Sequence, residues 1–396
     1  MATTDTPTAK GVEPGQELEL PQFKGVPGWE FTPLDKLDLD AFEDAPGGSA
    51  DAGAFPLGRP EGAVLVSSDA PSTEGPVVMP LAQAREQLPD VVEAHLGKVV
   101  TRHDTFTARN AARWTDGTLV YVPRNVHVEA PIALETVLER EGTALHHRTL
   151  VVLEEGAQAE VWDQVVGTDG LFNTVVELVV GPNANLRYVA AQDLDERAWI
   201  FGSQRAVIDR DAELDWTTLG FGSGNGKVFV ETKLDGPGCT GKVTGAYATR
   251  GRQHLDFDTL QEHAAPNTVS DLAFRGIVSG RSSAVWRGMI QVDQGAQQTD
   301  AFQEARNLLL GKKAHADAIP GLEILADDVR CTHAAAIAQI DPEQVFYLRS
   351  RGVRREQAER LVVEGFLAAL VERFAEGPVR DAVAAALERR LEQLLG

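Results

Sequence analysis

Two residues near the C-terminal end of the chain carry the atom types that hold soft or borderline metals. Cys331 and His333 lie two positions apart in the run Pro320–Gly352, PGLEILADDVRCTHAAAIAQIDPEQVFYLRSRG. In a β-strand, side chains two apart share a face, roughly 6.6 Å from each other. A thiol sulfur and an imidazole nitrogen would then project together from one strand. Sulfur and nitrogen donors suit iron, zinc or an iron–sulfur cluster. The chain's other cysteine, Cys239, follows a Gly-Pro-Gly turn and reads as a packing residue. Asp327 and Asp328 precede the Cys-x-His pair and read as a solvated turn. His146, His147, His254 and His263 are dispersed, and no zinc-type spacing joins them. The sequence shows neither a Gly-x-Ser-x-Gly elbow nor a Walker loop. Gly220–Lys227, GFGSGNGK, has Val228 after the lysine and reads as a turn between strands. Hydrolysis of ATP by this chain is therefore not expected.

The elements that must hold the pair follow from patterning. Between residues 118 and 340, short β-branched and aromatic runs alternate with Gly, Pro, Asn and Asp, the signature of strands and turns. Four turn-like segments, EEGAQAEV, GPNANLRY, DRDAELDW and GPGCTGKV, align on Ala157, Ala184, Ala212 and Cys239, at spacings of 27, 28 and 27. A small residue after a turn at fixed spacing is what stacked β units require. The expected fold is mainly β, a β-helix-like solenoid over 118–340; an antiparallel sandwich would not require a fixed repeat. From Ser279 onward, similar segments recur every 15 to 17 residues, which suits one coil each; the longer spacing is either two coils or a coil with a return strand.

Residues 1–75 hold eight of the 20 prolines within positions 1–60 and lack periodicity, so a loosely ordered segment is expected there. Residues 76–117 read as an N-terminal helical region, with Pro80 opening and Pro89 breaking short helices over 80–96. Residues 341–396 switch to helical periodicity. Asp341-Pro342 caps a first helix, Gly352 stops it, and Leu361, Phe366, Leu370 and Phe374 mark a stripe on the next. Such helices can cover a solenoid end or engage a partner.

A net charge of −22 argues against nucleic acid and anionic membranes as partners. Two cysteines supply no disulfide framework. The N-terminus shows no export signal and no apolar run approaches 18 residues, so a cytoplasmic location is expected.

The stretch PGLEILADDVRCTHAAAIAQIDPEQVFYLRSRGV resembles the C-terminal signature of the SufB/SufD family, in its SufD branch, from the bacterial SUF iron–sulfur cluster assembly machinery. VYVPRNVHVEAPI and ALHHRTLVVLEEGAQAEV resemble the entry to that family's core, and the likeness spans about residues 85 to 375. The resemblance implies a right-handed parallel β-helix flanked by helical segments. It implies a scaffold without enzymatic activity, paired with a SufB-like paralogue and served by a SufC-like ATPase on the C-terminal helices. The isolated chain could also form a homodimer. No intrinsic cofactor is implied; transient iron or a nascent cluster would form at the SufB–SufD interface. The family's interface histidine falls on His333, with Cys331 as a second candidate ligand. Members usually show Cys-Ser-His-Gly-Ala-Thr where this chain has Cys-Thr-His-Ala-Ala-Ala, so Ala336 brings no hydroxyl. SufB-type chains carry Glu-His-Glu-Ala and more cysteines, which favours the SufD branch. The alternatives are a SufB-type sulfur acceptor or a purely structural brace. A β-helix polysaccharide enzyme would need acidic residues aligned on consecutive coils, and none align here.

Overall fold

The computed structural model describes residues 18–21, 28–68 and 75–395. Strands consecutive in sequence alternate between two sheets. Sheet I runs from Asp116–Val122 through Thr143–Leu153 and every second strand thereafter to His315–Ile324. Sheet II runs from Ile132–Leu138 to Arg330–Gln339. Neighbours within both runs are parallel, giving a parallel β-helix of eight coils, one strand per sheet in each coil.

The repeat has a local cause. Each sheet II corner places a left-handed residue just before a small buried one: Gly156, Asn183, Asp211 and Gly238 at φ between 55° and 78°. Ala157, Ala184, Ala212 and Cys239 follow them, all essentially without exposed surface. Gly, Asn and Asp tolerate that backbone and the small side chain lets coils stack closely. The carbonyl of each small residue accepts the amide opening the strand one coil on: Asn185 from Ala157, Glu213 from Ala184, Thr240 from Ala212, Val269 from Cys239. The column continues through Asn267-Thr268 and Gln298-Thr299, whose carbonyls serve Asp300 and Arg330. One coil is therefore the longer repeat, 27 to 31 residues. The 15-to-17-residue spacing is half a coil, because both corners obey the same turn-then-small-residue rule.

The bore is filled mainly by apolar side chains from both sheets, with Tyr188, Trp216, Phe257, Phe274 and Trp286 among the largest. A second cluster lies outside it. Helices Arg355–Val371 and Pro378–Leu395 pack Val363, Leu367, Leu370, Val383, Leu387 and Leu391 onto the outer face of sheet II, against Trp162, Val189, Leu219, Ala246 and Ile277. They cover the flank and leave the end of the solenoid open. Of the expected stripe, Leu370 and Phe374 are buried and Phe366 is half-buried, while Leu361 is exposed. Arg390 fixes the last helix: Nε and Nη2 both reach the Ala248 carbonyl, at 3.1 and 2.9 Å, and Nη2 also reaches Phe221 O.

Helices Leu81–Gln87, Pro89–His95 and Thr105–Arg113 sit at the first coils, the last opened by a capping box between Asp104 and Thr107. Within the segment expected to be loosely ordered, residues 28–68 lie on the solenoid, with Trp29 stacked on Phe106 beside Phe201 and Phe229 on sheet I. The rest of that segment's positions 1–17, 22–27 and 69–74 fall outside the described residues.

Candidate functional site at the open end of the solenoid

Cys331 and His333 lie on Arg330–Gln339, the last strand of sheet II. Among the described residues this strand pairs with Asp300–Leu309 on one side only. The last strand of sheet I, His315–Ile324, is likewise paired on one edge, with Ser283–Val292. The open tip carries Ile324 (39% exposed), Leu325 (58%) and Ile337 (44%). Unpaired backbone edges beside exposed apolar side chains are a template for another chain.

Register shows which way the pair faces. Beneath His333, coil by coil, lie Gln303, Leu272, Val243, Trp216 and Tyr188. All but Gln303 belong to the cluster that fills the bore. Cys331 packs on a cluster that holds Ala301, directly beneath it on sheet II, and Ile290 and Val292 from sheet I. Both side chains thus stand on the inner wall of the last coil. His333 is exposed because no coil lies above it, not because it points away from the solenoid. Cys331 is half-buried, and burial, with the Asp300 carboxylate nearby, pushes its thiol above the ordinary range. It is a neutral thiol at physiological pH and must shed a proton to bind metal.

Among the described residues, no group of three or more His, Cys, Asp and Glu side chains could hold a metal ion. Cys331 and His333 are two side chains with soft or borderline donor atoms on one face of the last strand. Asp327 and Asp328 are exposed in the turn ahead of the strand. The Asp328 carbonyl accepts the Gln298 amide at 2.6 Å, which is a structural task. Cys239 is sealed in the corner column, with its thiol pushed up to about 12 by burial, so it packs and does not ligate. His146 and His263 are buried neutral, each held down to about 4 by loss of solvent. His254 is also lowered by burial. The Gly220–Lys227 run is a coil corner, and Lys227 is buried against Asp256 at 2.8 Å.

Next to the tip, a groove of about 960 Å³ lies between the last strand and helices Pro342–Ser350 and Arg355–Val371. Asp341 caps the first of these through the Glu343 amide at 2.9 Å, and Gly352 at φ 90° ends it. Only Val345 of that helix is buried; Phe346 is 73% and Tyr347 57% exposed. Sequence periodicity marked this helix but not the two aromatic residues it leaves in solvent.

Comparison with known proteins places this architecture. Residues 136–366 match the SufBD core domain of SUF system FeS cluster assembly. Residues 65–134 match the SufBD protein N-terminal region. The chain belongs to the SufB/SufD family. It is 33% identical to the iron-sulfur cluster assembly protein SufD of Bacillus subtilis, over 79% of this chain and 73% of that protein. It is 31% identical to an iron-sulfur cluster assembly SufBD family protein of Mycobacterium leprae, over 92% of this chain and 97% of the relative. Identity to the Bacillus subtilis SufB is 29%, over 74% of this chain and 64% of SufB. The SufB/SufD chain described here is thus a component of SUF-type iron–sulfur cluster assembly. Among its described residues no helix is long and apolar enough to cross a membrane.

Proposed function

We propose that this SufB/SufD chain is a SufD-like scaffold subunit, in which the open tip pairs with a SufB-like paralogue and His333 receives iron or a nascent cluster as cargo. The observation that carries the reading is the exposed His333 on a strand whose outer edge has no partner. A partial donor set at a docking edge is completed by ligands from the chain that docks. Cys331 supplies a second donor once deprotonated, so loading strengthens as pH rises. Chemical energy would come from a SufC-like ATPase seated at the groove beside Phe346 and Tyr347, since the subunit is read as a scaffold and not an enzyme. The complex would work in the cytoplasm, and no intrinsic cofactor is assigned to the chain.

The test is reconstitution with a SufB-like and a SufC-like subunit and comparison with His333→Ala. Cluster formation should fall to a small fraction of the native rate while the purified complex keeps its composition. Full cluster formation by an intact His333→Ala complex would refute the ligand role and leave the chain as a brace.

A further inference from the structure

One buried side chain directly below His333 has half of its hydrogen-bonding capacity unused. Gln303 occupies the position one coil beneath His333 and has no exposed surface. Its amide crosses the bore, where Nε2 donates to Gly288 O at 3.4 Å and to Gly321 O at 3.0 Å. Gly321 belongs to the last coil of sheet I, so this amide forms the floor of the open tip. The two carbonyls also fix which way the amide points, because a flipped amide would press its oxygen against both. Oε1 is consequently left as a buried acceptor with no partner. Gly288 keeps room for it: a Cβ there would come within 2.5 Å of Oε1.

The donors available to that oxygen are few. Facing the bore in the last coil are Cys331, His333, Ala335 and Ile337 from sheet II, and from sheet I mainly alanine, proline and aliphatic side chains. Of these, His333 stands directly above Gln303 and carries a strong N–H donor. Trp286 Nε1 is a second unpartnered donor, in Gln303's own coil, and neither it nor the His333 ring is bonded to Oε1 in this structure. A histidine that binds metal through one ring nitrogen needs its other N–H held, which sets tautomer and ring direction.

We infer that Gln303 is the positioning residue of His333, its Oε1 accepting one ring N–H so that the other nitrogen faces the open tip with its lone pair free. Glutamine suits this place because its amide anchors through nitrogen on backbone carbonyls and offers oxygen to the ring. The inference rests on the reading of His333 as a ligand for its purpose, though not for its geometry.

The full-length chain labelled with ¹⁵N-histidine reports the contact by long-range ¹H–¹⁵N correlation. The chain has nine histidines, and the His333 signals are assigned by their loss in His333→Asn. In the native chain the His333 ring should occupy a single neutral tautomer. Gln303→Met, similar in length and without an acceptor, should convert it to a mixture. Gln303→Glu, whose neutral carboxyl can donate to Gly321 O and keep a carbonyl, should retain the single tautomer. In the assembled complex, Gln303→Met should weaken iron retention about 10- to 100-fold. A tautomer mixture at His333 in the native chain would overturn the inference with no variant needed. So would an unchanged single tautomer in a folded Gln303→Met chain. Should the contact be present while His333→Ala supports full cluster formation, the ligand reading fails and the contact stands; the reverse pattern removes the contact alone.

Discussion

Replacing Arg390 with alanine should loosen the C-terminal helices from the solenoid far more than any surface change. Arg390 is 4% exposed, and its guanidinium donates to Ala248 O twice, to Phe221 O, and to Gln253 Oε1 at 3.2 Å. Phe221 O keeps the Gln253 Nε2 donor after truncation, at 3.2 Å, whereas Ala248 O loses both guanidinium donors. Charge-assisted hydrogen bonds contribute about 1.5–3 kcal/mol, and a buried carbonyl deprived of donors costs about 1–3 kcal/mol. The sum is a loss of about 2.5–6 kcal/mol at neutral pH. Asp193 adds a pH signature. Burial raises its carboxyl above the ordinary range, and the Arg390 charge is the largest influence pulling it back down. Without Arg390 the carboxyl climbs further. A carboxyl raised in the folded state is stabilising when protonated at low pH, and that contribution is lost as pH rises through its folded value. The penalty of Arg390→Ala should therefore be smaller near pH 4.5 than at pH 7. Urea unfolding at both values measures it. A loss below about 1 kcal/mol, or one that does not change with pH, would refute the anchoring argument.

Three further outcomes are expected. His263, with both ring nitrogens bonded to Thr268 and Ser270 hydroxyls at 2.7 and 2.8 Å, lies at about 4 against an ordinary 6.5. Stability should then be intact above pH 6.5 and fall by about 3 kcal/mol as pH drops to 4; His263→Gln should flatten that part of a pH–unfolding profile. Alkylation followed by mass spectrometry should find Cys239 unlabelled in the folded chain and Cys331 slow at pH 7, its rate rising about tenfold per pH unit with the thiolate fraction. Phe346→Ser with Tyr347→Ser should leave the unfolding midpoint nearly unchanged, within about 0.5 kcal/mol, yet abolish co-purification with a nucleotide-hydrolysing partner.

The coil period was legible where the turn chemistry is strict. Gly, Asn or Asp before Ala or Cys marks one corner four times over, and that suffices to place Ala157, Ala184, Ala212 and Cys239 in one column. The column fades from view at Asn267-Thr268 and Gln298-Thr299, because threonine replaces alanine and glutamine adopts the left-handed backbone. There the corner on the opposite side supplies the clearer signal, and the apparent period halves. The strand period of two was enough to bring Cys331 and His333 to one face. It could not tell the bore from the outer wall, since both faces of sheet II are buried, one by the bore and one by helices. Gln303 was invisible for a related reason. Finding it requires stepping back one full coil, and coils here differ by up to four residues. In the tail, Asp341, Pro342 and Gly352 announced the helix ends through backbone chemistry. Leu361 misled because its hydrophobic spacing serves an exposed groove instead of the packed flank.

The unfinished tip bears on how a cell must manage the supply of this protein. A ten-residue strand with one free edge will zip onto any compatible strand, its own copies included. What holds identical molecules apart is their shared charge of −22 each, a repulsion that reaches only about 8 Å in physiological salt and shrinks further as salt rises. Surplus molecules left without a mate should pair tip to tip at high ionic strength. Matched production of the mating subunit is then a condition of solubility as much as of activity.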